Sequence, residues 1–112
     1  MDKNILEHRA RLFKAMADPV RLQILEFLKT GEKCVCEIIP FIGRSQSTTS
    51  KNLDMLYRAG ILERRGDGRR TLYKIKSKKV LELLDLADSL VLDWLSSLTK
   101  TVEYLESKNS KQ

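Results

Sequence analysis

Three groups of residues in this chain carry side chains able to do chemistry. The first is Cys34-Val35-Cys36, which holds the only cysteines of the sequence. Two residues apart, they cannot tie distant parts of the chain together, so a disulfide framework is excluded and a reducing, cytoplasmic setting is expected. Thiolates are the natural ligands of soft metals, and a helix starting at this point would lower their pKa. Two of them can hold a trivalent arsenical that keeps an exchangeable oxygen ligand, or a linear soft ion. They cannot close a four-coordinate zinc site within one chain. The second group is the polar run Gln46 to Asn52, nearly two helical turns without an apolar side chain. The third lies between Glu63 and Lys79, where eight basic residues face Glu63 and Asp67 alone and account for the whole formal charge of +6. A cationic stretch on an otherwise neutral body suits a polyanion such as nucleic acid. The plainer reading is a solvated hairpin whose charges keep a strand edge from aggregating.

The elements that must position these groups can be read in order. Lys3 to Ala17 has Ile5, Leu12, Phe13 and Met16 on one side of a helix. Asp18-Pro19 is a helix start, with a carboxylate to cap free amides and a proline where no donor is needed. The following helix, Val20 to Lys29, is apolar on most sides and should be central. A short helix is expected from near Cys36, distorted at its start by Pro40 and closed by Gly43. Ser45 caps the next helix, Gln46 to Arg58 or Ala59, with Leu53, Leu56 and Tyr57 inward. Its polar front has no core face and should project from the body. Two strands, Ile61 to Arg65 and Arg69 to Lys76, flank the turn Gly66-Asp67-Gly68. From Ser77 a long helix carries an apolar stripe through Leu90, Val91, Trp94 and Leu98.

At 112 residues, 42% apolar and 32% charged, the chain is one globular domain's worth. The expected domain runs over residues 1–106, with a frayed tail at 107–112. No apolar run is long enough to span a membrane, and the polar start is no signal peptide, so a membrane partner is not expected.

The order of elements is mainly α with a small β-hairpin wing, the winged helix-turn-helix layout. Its polar-fronted helix fits the major groove, where base edges differ in donors and acceptors. At the level of residues, the chain resembles the ArsR/SmtB metal-responsive transcriptional repressors. The resemblance is carried by ADPVRLQILEFL (Ala17 to Leu28), KCVCEI (Lys33 to Ile38), SQSTTSKNLDMLYRAGIL (Ser45 to Leu62) and RRGDGRRTLYKI (Arg64 to Ile75). It implies a homodimeric repressor that binds double-stranded operator DNA when free and leaves it when an effector binds, with no required cofactor.

By position, the resemblance implies that Ser45, Gln46, Ser47, Thr48, Ser50, Lys51 and Asn52 contact DNA. Gln46 and Asn52 can pair with adenine, and Lys51 can reach phosphate or guanine. The wing adds Arg64, Arg65, Arg69 and Arg70 against the phosphates. Departures from the family pattern are Lys51-Asn52 in place of Arg-His, Thr49 in place of an aliphatic residue and Arg44 in place of an apolar one. Ser47 and Thr48 have a second reading as first-turn caps without base contact. Cys34 and Cys36 match the family's CVC motif, which in many members binds arsenite, antimonite or soft divalent ions. The position of a third cysteine used by some relatives is Ile39. His8 is the only imidazole, and the last helix, with Asp85, Asp88 and Asp93 but no histidine, is a poor zinc site. The pair therefore stays open between a metalloid or soft-metal sensor, a thiol redox switch and an inert remnant.

The long apolar stripe exceeds the roughly 400 Å² a soluble monomer tolerates. A homodimer is expected, burying Ile5, Leu12, Leu90, Val91, Trp94 and Leu98, and two-fold symmetry then asks for an inverted-repeat operator. A non-DNA scaffold of the same fold would not need the polar front Gln46 to Asn52. An enzyme is rejected, because no Cys/His pair, phosphate loop or coupled carboxylates are present.

Overall fold

The structure, a computed structural model, describes residues 2–110. The described chain divides into two compact units, the first ending at Val80 and the second beginning at Leu81.

In the first unit, α1 (Lys3–Met16) begins with Asp2 accepting from the Asn4 amide (3.1 Å). α2 (Pro19–Leu28) is capped as expected, with Asp18 Oδ2 accepting from Val20 (2.9 Å) and Arg21 (3.1 Å). A strand that the sequence did not announce follows: β1, Lys33–Cys34, only two residues long. It leads directly into α3 (Val35–Ile42), which keeps Pro40 inside it. The proline removes the amide that would bond the Cys36 carbonyl, yet the helix continues to a left-handed cap at Gly43 (φ +73°). α4 (Gln46–Arg58) starts where Ser45 predicts.

β2 (Leu62–Asp67) runs two residues further into the turn than expected, while β3 (Arg70–Ile75) is one residue shorter than expected at each end. Asp67 pairs with Arg70, so the loop is Gly68-Arg69, and Gly68 takes the positive φ that such tight hairpins need (+63°). Gly66 and Asp67, expected in the turn, are in the ladder. All pairings are antiparallel in the order β1-β3-β2, with Lys33 opposite Tyr73 and Cys34 opposite Leu72. The core is Ile24 and Leu25 of α2, Ile38 of α3, Leu53 and Leu56 of α4, and Ile61 and Leu62 at the hairpin. Burying each such side chain stabilises the fold by about 1.5–3 kcal/mol before entropy is counted.

The helix α5 (Lys78–Ser110) has 33 residues and only Leu84 is buried. At 1.5 Å per residue it is about 50 Å long. Its last turns run through Ser110. Good helix formers (Glu103, Leu105, Glu106, Lys108) continue the ladder, and the Ser110 hydroxyl donates to the Ser107 carbonyl (2.9 Å). The remaining tail, residues 111–112, lies outside the described residues. No helix among the described residues is long and apolar enough to cross a membrane.

Candidate nucleic-acid interface and thiol pair

The N-terminal end of α4 is built by capping. Ser45 Oγ accepts from the Thr48 amide (3.2 Å) and donates to the Thr48 hydroxyl (3.0 Å), with Ser47 Oγ 3.3 Å away. These three residues are therefore tied to one another, and the capping oxygen is that of Ser45. Gln46, Ser50 and Lys51 are exposed and form no side-chain bond among the described residues. Together they present one acceptor-donor amide, one hydroxyl and one ammonium at the positive end of a helix dipole.

Two members of the polar run behave differently from expectation. Thr49 is fully buried, four residues before Leu53 on the same face, and its hydroxyl has no partner among the described residues. The front of α4 thus has a core contact after all, through the one residue where the family pattern has an aliphatic side chain. Asn52 is half-buried and engaged: its Oδ1 accepts from Arg21 Nη1 (3.1 Å) and its Nδ2 donates to the Thr48 carbonyl (2.9 Å). The amide edge that would pair with adenine is occupied.

The wing arginines are largely consumed within the chain. Arg64 lies over the Tyr57 ring (4.0 Å to the centroid), donates to Tyr73 Oη (3.4 Å) and sits 3.6 Å from Asp54. The hydrogen bond to Tyr73 is the main reason its pKa is raised further. Tyr57, expected inward, is exposed and serves as the platform for this guanidinium. Arg65 grips both oxygens of Glu32 (2.8 and 3.0 Å), and these bonds hold the Glu32 carboxyl below the ordinary range. Arg70 donates to Asp67 (2.9 Å) and lowers its pKa in the same way. Arg69, in the loop itself, is exposed and has no partner among the described residues.

Cys34 and Cys36 are joined to each other by a disulfide. Cys34 is buried and belongs both to β1 and to the cap of α3. Its Sγ accepts from the Cys36 amide (3.0 Å), and Glu37 Oε1 accepts from the Cys34 amide (3.1 Å). Cys36 is exposed. The pair borders an open cleft of about 450 Å³ whose other walls include Gln46, Ser50, Arg69 and Tyr73. It therefore stands where the sheet, α3 and the front of α4 meet. Among the described residues no group of three or more His, Cys, Asp or Glu side chains converges to hold a metal ion. Neither His8 nor Asp85, Asp88 and Asp93 completes the thiol pair.

Ile5, Leu90, Val91, Trp94 and Leu98 are all exposed in the single chain, Leu90 by 65% and Trp94 by 63%, and Leu12 is half-buried. Arg21 and Tyr57 are the residues that sequence reasoning missed. Nothing local in the sequence marks Arg21, because its partner Asn52 is 31 positions away and is reached only in the folded chain.

Residues 18–64 match the family model described as bacterial regulatory protein, arsR family. The chain is 41% identical over 85 residues to an uncharacterized HTH-type transcriptional regulator of Methanocaldococcus jannaschii, covering 75% of this chain and 96% of that one. It is 39% identical over 75 residues to the cadmium resistance transcriptional regulatory protein CadC of Listeria innocua, covering 66% of this chain and 63% of the relative. Among solved structures, it is similar to a homodimeric winged helix-turn-helix DNA-binding domain from Mycobacterium bovis. That match has a TM-score of 0.76 at 36% identity and covers 82% of this chain and 85% of that domain.

Proposed function

The chain belongs to the arsR family of bacterial regulatory proteins and is a DNA-binding transcriptional regulator, and from that premise we propose that it acts as a homodimeric repressor of an inverted-repeat operator. The observation that carries this reading is the unpartnered set Gln46, Ser50 and Lys51 at the front of α4, with Arg69 free at the wing tip. The homodimer is supported by the exposed apolar residues of α1 and α5 and by the homodimeric relative. In such a dimer the two reading helices lie about one DNA turn apart, roughly 34 Å, or a multiple of it.

The effector acts at Cys34 and Cys36. A trivalent metalloid or soft metal drawing the reduced sulfurs together would pull on β1 and α3 at once, and through the short Gly43-Arg44-Ser45 turn on α4. The relative named for cadmium resistance supports a soft ion. A second reading is favoured by the bond between the two sulfurs: the disulfide and the dithiol are the two states, and redox chemistry replaces metal binding.

Selection of duplexes from a random-sequence pool by the reduced protein tests the DNA reading. Enrichment of an inverted repeat is expected, bound by a dimer in sedimentation. Enrichment of nothing, or a monomer at tens of micromolar, would sink it.

A further inference from the structure

Arg21 joins three helices through its guanidinium. It occupies the third position of α2, where its amide is capped by Asp18 (3.1 Å). The side chain turns back to the C-terminal end of α1. Its Nε donates to the Ala15 carbonyl (2.6 Å) and its Nη2 to the Lys14 carbonyl (3.3 Å). Both carbonyls lack a helical donor for reasons fixed in the sequence. The residue four beyond Ala15 is Pro19, which has no amide hydrogen, and the one four beyond Lys14 is Asp18, whose amide goes to Met16 (2.8 Å). A cation at this position also complements the helix dipole.

The remaining arm crosses to α4. Nη1 donates to Asn52 Oδ1 (3.1 Å) and lies 3.3 Å from Met55 Sδ. Asn52 cannot be turned over, since its amino group would then meet the guanidinium and its oxygen the Thr48 carbonyl. The rigid fork of arginine suits three acceptors lying in different directions, which the point charge of lysine does not.

We propose that Arg21 is a positioning residue for DNA reading, a clasp that through Asn52 fixes the angle of α4 against the C-terminal end of α1. It makes no contact with DNA. Because α1 belongs to the proposed subunit contact and α4 to the reading surface, the clasp sets the half-site spacing that the dimer accepts. Asn52 is its anchor and not a base reader. This rests on the homodimeric, operator-binding reading above.

The experiment uses the duplex that the wild type enriches and the same duplex with one base pair inserted between its half-sites. Asn52→Ala leaves both bonds to α1 in place, so the fold is retained, and a melting curve verifies that. The wild type prefers the native spacing; Asn52→Ala should lose about tenfold of that preference, the worth of one charge-assisted hydrogen bond. Arg21→Lys should lose a similar amount, and the double variant no more than either alone. Hydrogen exchange of the free variants should be faster along α4, which reports the clasp without DNA. Unchanged spacing preference in Asn52→Ala overturns the clasp while leaving the operator reading intact. So does a loss confined to one base-pair position that adds to the loss from Arg21→Lys, which would make Asn52 a base reader. No enrichment by the wild type overturns the operator reading and the clasp with it.

Discussion

The front of α4 and the wing hairpin were both expected to face DNA, and they hold their side chains in opposite ways. On α4 the residues with base-reading chemistry, Gln46, Ser50 and Lys51, are free, while Ser45, Thr48 and Asn52 spend their polar atoms stabilising the helix. On the wing the ratio reverses. Arg64, Arg65 and Arg70 each have an acidic or phenolic partner, and Arg69 has none among the described residues. Charge clustering locates a polyanion-facing surface, but pairing decides which charges can release counterions from DNA. The wing reads as a stiff strut with one contact at its tip.

The largest expected effect tests that contrast. A dimer neutralising roughly 6–10 phosphates loses about 10³- to 10⁵-fold in affinity between 50 and 200 mM salt. If the pairs persist on DNA, Arg69→Ala should lower the salt slope by about one per subunit, and Arg65→Ala should leave it nearly unchanged. Equal flattening by the two variants would show that the Glu32 pair opens on binding. The converse variant, Glu32→Gln, frees Arg65 and should steepen the slope.

Base reading should depend on α4 alone. Gln46→Ala is expected to cost about 1–3 kcal/mol of preference for the enriched duplex over random DNA, without altering the salt slope. A similar loss on both duplexes would remove base reading from this helix. The thiol pair links the two regions, since Cys34 is in the sheet and caps α3. Titration of the bound complex with arsenite, antimonite, cadmium or peroxide should release it through a coupling of about 1–3 kcal/mol, a 5- to 150-fold change in affinity. Cys34→Ser plus Cys36→Ser should abolish the response, and a double variant that still responds would make the cysteines remnants. Release by a metal identifies the sensor; release by peroxide, reversed by a thiol reductant, identifies the redox reading.

Most of the fold was legible because local chemistry and packing agree. Asp18-Pro19, Ser45 and Gly43 each fix a boundary, the glycine-bracketed turn locates the hairpin although its loop is Gly68-Arg69, and Leu53 and Leu56 take the inward positions their spacing asks for. β1 was not legible, because two residues have no periodicity and Lys33-Cys34 pairs only through the distant β3. The pairing of arginines was hidden for a similar reason. Arg65 reaches Glu32 across 33 positions, and Arg21 reaches Asn52 across 31. The sequence identified which residues have reading chemistry; tertiary contacts decided which keep it available.

Thr49 offers a smaller and cleaner test of how α4 is anchored. Its buried hydroxyl lacks a partner, so the fold carries the desolvation cost without a bond in return. Thr49→Val keeps the branched shape and should raise stability by about 1 kcal/mol, read as a shifted denaturant midpoint at constant m. A loss of stability would show that the hydroxyl is satisfied in solution.

The smallest effect concerns acid. Glu32 and Asp67 are both held below the ordinary carboxylate range, chiefly by hydrogen bonds from Arg65 and Arg70 respectively. A carboxylate whose pKa is lower folded than unfolded binds fewer protons in the native state. Its contribution is therefore complete at neutral pH and is lost as pH falls through the lowered folded pKa. Both groups are solvent-exposed, so the change is screened and modest. Melting temperature should decline from pH 5 to pH 3 more steeply in the wild type than in Glu32→Gln plus Asp67→Asn, in which no carboxylate remains to be protonated at these positions. Parallel declines would mean that the wing pairs are surface contacts without a part in holding the hairpin, and that the paired arginines are as available to DNA as Arg69.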